Sequence, residues 1–365
     1  MEFPIESSLV SIVSPRSRRQ GRDIRKFIID NVETHPGDMP VMIAKHFGIS
    51  RQAANKHLRV LVTGGTIIPE GKTRYRSYKL ATLSEWGKTY EISPALEEDQ
   101  VWAQDIAPQL GDLPENVMDM WGFCVTEMIN NAVDHSEGKL LSVHMARTAK
   151  STEISIADDG IGIFRKIQAA LNLLDERHAI LELSKGKLTT DPAKHTGHGI
   201  FFTSRLVDQF DILSGGVYFG HAFGKEEDWI VERDIKSDHG TTILLKLDND
   251  SDRTVRMISE KYSTSGEDLA FTKTVVPVRL AQYGHEKLIS RSQAKRLMVR
   301  VDRFKVVILD FAGVETIGQA FADEIFRIFT RNHPEVEIVP THANPTVQAA
   351  IQAVRNSEAS EIGGI

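Results

Sequence analysis

Glu127 and Asn131 stand four residues apart in the run Thr126-Glu127-Met128-Ile129-Asn130-Asn131-Ala132-Val133-Asp134-His135. On a helix that spacing puts a carboxylate and a carboxamide on one face, one turn apart, with Asp134 on the same edge. Oxygen donors of this kind suit Mg2+, a hard cation that keeps several waters. The same carboxylate could polarise a water for attack on a phosphate. A second block, Ala157-Asp158-Asp159-Gly160-Ile161-Gly162-Ile163, follows about two dozen residues later. A strand over Glu153 to Ala157 would deliver Asp158 to a turn whose glycines let backbone approach a flat ligand closely. Asp158 could there accept a hydrogen bond from an exocyclic amine. Two more glycine-bearing blocks come after, Thr196-Gly197-His198-Gly199-Ile200 and His239-Gly240-Thr241-Thr242-Ile243.

These groups need elements to position them. A helix over about 115–135 carries the first block, and Gly138 ends the helical region. Strands are expected over Leu141 to Ala146 and Glu153 to Ala157, then a helical stretch over 169–183. A helix from Gly199 to Val207 would present free N–H groups and its dipole to phosphates. Strands around Phe210 to Leu213, Trp229 to Glu232 and Thr241 to Leu247 complete the set. Lys185 to His195 has no apolar period and suits a mobile lid over a triphosphate, with Lys185, Lys187 and Lys194 as phosphate cations. His195 and His198 flank Gly197, but no cysteine or carboxylate completes a metal set.

In this order and on these elements, the four blocks resemble the GHKL ATPase superfamily, which includes gyrase-type topoisomerases, histidine kinases and anti-sigma-factor kinases. The resemblance spans roughly residues 100 to 248. It implies an α/β sandwich, a mixed sheet with helices on one face, binding ATP and Mg2+. It further implies Glu127 as general base, Asn131 as the Mg2+ ligand and Asp158 as the adenine-reading acid. Gly160 and Gly162 would be the hinge of the pocket, Gly197 and Gly199 would close an ATP lid, and Thr241 would sit near the adenine. Asp134, Lys194 and His198 complete the candidate nucleotide contacts.

Charge is unevenly spread. Residues 14–80 carry fourteen Lys or Arg against five Asp or Glu, whereas residues 81–365 sum to −13. A basic head on an acidic body argues for an anionic partner. Met39 to Phe47, a turn at Gly48 and a helix Arg51 to Val62 capped by Ser50 form a helix-turn-helix pattern. Thr66 to Leu80 then alternates basic and aromatic residues as a β-hairpin would. The segment resembles winged-helix domains of bacterial transcription regulators, whose second helix enters the DNA major groove. Arg51, Lys56, Lys72, Arg74 and Arg76 are the candidate phosphate anchors. Gln52 and Asn55 are the candidate base readers, since carboxamides can pair bidentately with adenine.

The last hundred residues alternate strand and helix patterns, with Lys305 to Phe311 a buried strand by its apolar run. Strand, turn and helix start read Leu309-Asp310-Phe311-Ala312-Gly313-Val314-Glu315-Thr316-Ile317-Gly318-Gln319. This resembles STAS-type domains, the anti-anti-sigma-factor fold. Those open the helix with a phosphorylatable Ser or Thr, whereas Gly318, Gln319 and Ala320 stand here. That departure implies a protein-docking role without an internal phosphoacceptor.

The reading is a multidomain α/β chain: winged helix-turn-helix 15–82, connector 83–113, GHKL-type domain 114–248, linker 249–268 and STAS-like domain 269–358. Its single cysteine, Cys124, excludes an internal disulfide framework. No apolar run approaches the ~20 residues of a membrane span, and Glu2 and Glu6 interrupt any signal-peptide core. A cytoplasmic homodimer is expected, in which Mg-ATP binding and slow hydrolysis switch a DNA-binding, transcription-regulating head. The alternative is a protein serine/threonine kinase of the anti-sigma-factor type acting on a separate partner.

Overall fold

The computed structural model describes residues 15–72, 76–188, 197–224, 229–232, 239–264, 271–282 and 286–362. The chain divides into two compact units, one of residues up to Glu85 with Ala146–Ser151, the other of Trp86–Met145 with Thr152–Ile365.

In the first unit, helices α1 (Pro15–Asn31), α2 (Met39–Phe47) and α3 (Arg51–Thr63) precede strands β1 (Ile67–Glu70) and β2 (Ser77–Leu80), which pair antiparallel. Gly48 ends α2 in the left-handed region at φ 62°, where glycine carries no Cβ penalty. Ser50 Oγ then accepts the amide of Ala53 at 3.2 Å, capping α3 as its sequence predicts. Ala54, Leu58 and Leu61 lie one turn apart and are buried, against Ile24, Ile28 and Ile43. The same period leaves Arg51, Gln52, Lys56 and Arg59 exposed.

The second unit is built on a seven-stranded sheet of order β3-β4-β5-β9-β6-β7-β8. Its strands are β3 (Ser84–Glu91), β4 (Leu140–Arg147), β5 (Ser151–Asp158), β6 (Gln209–Ser214), β7 (Val217–Ala222), β8 (Trp229–Glu232) and β9 (Thr241–Asp248). β6 pairs antiparallel with β7 and β9, and β7 does so with β8. Two strands were not expected. β3 falls in the stretch read as a connector, because only Tyr90 of its eight residues is buried. β7 carries Gly220 and follows Gly215 closely, so it reads as a turn.

Helix α4 (Glu115–His135) buries Val117, Met120, Trp121, Cys124, Val125, Met128, Ile129 and Ala132. Steps of three and four define one apolar face, and burying each large side chain contributes roughly 1.5–3 kcal/mol. Burial pushes the Cys124 thiol up to about 12, which makes it a packing residue rather than a nucleophile. The stretch expected as one helix over 169–183 is two, α5 (Ile163–Leu171) and α6 (Glu176–Lys185), broken at Asn172 in the left-handed region. Helices α7 (Gly199–Leu206) and α8 (Val255–Lys261) follow.

The C-terminal part of this unit is a parallel sheet of order β10-β11-β12: β10 (Lys273–Pro277), β11 (Val306–Asp310) and β12 (Glu337–Thr341). Parallel strands need crossovers. Helix α9 (Arg291–Met298) and the helix over 319–332 supply them, and α10 (Pro345–Ile362) ends the described chain. Among the described residues, no helix is long and apolar enough to cross a membrane.

Candidate functional site

A cavity of about 270 Å3 opens in the second unit beside α4. Glu127 and Asn131 of the first block line it, as do Asp158 and Gly162 of the second. The third block contributes Gly197, His198 and Gly199, and the fourth contributes Thr241. Segments more than a hundred residues apart in sequence therefore meet around one space. Asp134 is exposed outside the lining, on the edge of α4. Lys194 falls in 189–196, outside the described residues.

The second block is held by backbone geometry. A Cβ at Gly160 would stand 2.0 Å from the Ser136 carbonyl, and one at Gly240 would stand 2.2 Å from the Asp158 carbonyl. The Gly240 amide donates to the Gly160 carbonyl at 2.6 Å, tying the second block to the fourth. Gly160 thus builds the cavity from behind without lining it. Gly162 sits at φ 88° and leads into α5, whose first amide, Ile163 N–H, donates to Thr241 Oγ1 at 3.0 Å.

Two adjacent carboxylates divide here. Asp159 Oδ1 accepts the amides of Leu140 at 2.9 Å and Lys139 at 2.7 Å, which hold its pKa below the usual carboxylate value. Asp159 is a structural clamp. Burial raises the pKa of Asp158 instead, against the opposing pull of amide donors such as Gly160 N–H at 2.9 Å. Asp158 is therefore the acid that faces the cavity at a cost in solvation.

On α4, Glu127 lies against the start of α7: a Cβ at Gly199 would stand 2.0 Å from Glu127 Oε2. Any larger residue there would push that carboxylate aside. The Asn131 Nδ2 is buried without a hydrogen-bond partner among the described residues. An unspent buried amide next to a cavity is what a ligand would satisfy. The oxygen of the same carboxamide is the end that a hard cation would take.

Lys166 was not anticipated. It lines the cavity while its Nζ donates to the His135 carbonyl at 2.7 Å and to Glu137 Oε1 at 3.0 Å. A cation at a helix C-terminus satisfies carbonyls left open there. Its position, three residues into α5, is the sequence signal that could have found it. His198 packs edge-on to Phe271, with centroids 5.0 Å apart, and burial lowers its pKa.

The lysines expected to meet phosphates do something else. Lys185 is fully buried away from the cavity lining, and its Nζ donates to Glu182 Oε1 at 2.6 Å and the Val299 carbonyl at 2.9 Å. Lys187 Nζ donates to the Arg303 carbonyl at 2.7 Å and lies 4.5 Å from the Phe304 ring centre. Both reach the C-terminal part of the unit. Of the candidates in the basic head, Arg51, Gln52, Lys56, Lys72 and Arg76 are exposed and Asn55 is half-buried. Arg74 falls in 73–75, outside the described residues.

Residues 95–217 match the family model of the histidine kinase-like ATPase domain, and residues 293–348 match a STAS-like domain of unknown function (DUF4325). The first match covers three of the four blocks and ends before Thr241. The two matches are to a GHKL-type ATPase domain over 95–217 and to a STAS-like domain over 293–348. None of the curated proteins compared with the chain is similar to it.

Proposed function

We propose that the cavity binds Mg-ATP and hydrolyses it slowly, and that this switches a DNA-binding head. The observation that carries the reading is the meeting of four blocks around one cavity with an unspent Asn131 amide. In this reading Asp158 accepts from the adenine amine, and Gly162 and Thr241 shape the base-binding end. Glu127 takes the proton of the attacking water, and its place beside Gly199 keeps it close to the cavity. Asn131 would hold Mg2+, which supplies neutralisation of phosphate charge. Asp134, Lys194 and His198 are further candidate contacts.

The N-terminal unit is read as a winged helix-turn-helix on double-stranded DNA. Arg51, Lys56, Lys72, Arg74 and Arg76 would anchor phosphates, and Gln52 and Asn55 would meet base edges in the major groove. Support comes from the capped α3, its exposed polar face and the charge excess of the segment. The STAS-like domain offers no hydroxyl at its helix start. A Cβ at Gly318 would stand 2.7 Å from the Ile289 Cα, so no Ser or Thr fits there without rearrangement. The STAS-like domain is therefore read as a docking module without an internal phosphoacceptor, in a chain we read as a cytoplasmic homodimer regulating transcription.

Incubation of the full chain with γ-labelled ATP tests the reading. Free phosphate should accumulate, and Glu127→Ala should stop it while nucleotide still binds. Label retained on an added protein partner would instead establish the kinase alternative. Retention of duplex DNA should weaken steeply with salt, and Arg51→Ala should reduce the salt slope by about one. Absence of salt-dependent retention would remove the DNA reading.

A further inference from the structure

The end of α6 has two sides. Leu183 and Leu188 line the cavity, whereas Glu182, Lys185 and Lys187 reach the segment 296–304 of the STAS-like part. Glu182 is met by two cations, Lys185 at 2.6 Å and Arg300 Nη1 at 3.1 Å. Arg300 Nη2 also donates to the Lys187 carbonyl, and Arg303 Nη1 does so at 3.3 Å. Thr274 Oγ1 of β10 donates to the Lys185 carbonyl at 2.7 Å. Gly186, at φ 78°, lies so close to Phe271 that a Cβ would stand 2.6 Å from its ring. Backbone and side chain of 185–187 are thus fastened to one docking surface.

An exposed lysine pair would hold such a joint weakly. These charges are buried, and removing Glu182, the carboxylate that both cations meet, would leave buried ions uncompensated. The joint is therefore made whole or not made, which is the property of a two-state element. While made, it fixes the residues between Leu183 and Leu188 and with them one wall of the cavity. Were it open, a ligand would have to order that wall on binding, and its affinity would fall.

We propose that the STAS-like domain sets the nucleotide affinity of the ATPase domain through the Glu182–Lys185–Arg300 contact, so that whatever loosens the STAS-like domain releases nucleotide. This rests on the cavity being the ATP site. Linkage is reciprocal, so bound nucleotide must tighten the joint by the same factor.

Arg300→Met in the full chain is the discriminating variant. It leaves Glu182 and Lys185 as a neutral buried pair, so the fold survives, but it breaks the bridge to Lys187. The dissociation constant for Mg-ATP should rise roughly fivefold or more. Arg300→Lys, which keeps the charge and loses the two-pronged reach, should fall between parent and Met variant. Hydrogen exchange supplies a readout that mere stability would not move: amides of 296–304 should gain protection on adding Mg-ATP to the parent and gain little in the variant. An unchanged dissociation constant in the folded Met variant, or equal exchange of 296–304 with and without nucleotide, overturns the linkage alone. Failure of the parent to bind Mg-ATP removes the ATP reading and this inference with it.

Discussion

Asp158 and Lys185 are both charged groups drawn from water, one at the end of a sheet strand and the other at the end of α6. Burial disfavours the ionised form of each, raising the pKa of Asp158 and lowering that of Lys185 to about 8. Their surroundings differ. Lys185 meets a carboxylate and two backbone carbonyls, and Glu182 meets two cations. Around Asp158 the cavity stays open, and the Asn131 amide across it is unspent. One region has completed its electrostatics within the chain, and the other has left them to be completed from outside. Burial of charge alone does not mark a binding site; burial with unfilled hydrogen-bonding capacity beside a cavity does.

Substitutions can break this contrast. Glu182→Gln should have the largest effect, because it leaves Lys185 and Arg300 buried together without an anion. A loss of about 3–5 kcal/mol is expected in denaturant unfolding. A loss within the range of surface changes would mean that the joint is not a buried-charge system. Gly160→Ala comes next: the Ser136 carbonyl is backbone and cannot move aside cheaply, so overpacking should destabilise by roughly 1–3 kcal/mol. Nucleotide binding should weaken with it, since the second block would shift. Retained thermal stability would show that the block tolerates movement.

The last substitution tests the pH dependence of the joint. Lys185 has a folded pKa of about 8 against 10.5 as its ordinary value. Between those values the unfolded chain binds a proton that the folded chain does not, so stability from this group rises with pH across the window. Below about pH 8 both states are protonated and the contribution is flat. The stability of Lys185→Met should lack this rise. An equal slope in parent and variant across the window would assign the titration to another group.

The contrast also explains what could be read from the amino-acid order. Glu127 and Asn131 are one helical turn apart, and Asp158, Gly160 and Gly162 share one turn, so each set is local and its geometry follows from spacing. The contacts of Lys185 and Lys187 are not legible in the sequence for the converse reason. Their run has a polar, glycine-bearing composition, and nothing near them indicates Arg300, more than a hundred residues away. Asp158 and Asp159 are indistinguishable in sequence; the amides of Lys139 and Leu140 decide between them. β3 escaped because an edge strand with one buried side chain has no apolar alternation to display.

Calorimetric titration of Mg-ATP into the parent chain and into Asp158→Asn, with thermal unfolding of both without nucleotide, tests the central claim most directly. The parent should bind saturably and only with Mg2+ at full strength. The Asn variant keeps one acceptor oxygen where Asp158 has two, so it cannot take the Gly160 amide and the adenine amine on separate oxygens, and a mismatched buried pair costs roughly 1–3 kcal/mol, about ten- to a hundredfold in affinity. Without nucleotide the variant should unfold at a higher temperature, because it no longer buries a carboxylate. Equal affinity in the two proteins, or lower stability of the variant without nucleotide, would contradict a pocket whose charge is held in reserve for ATP.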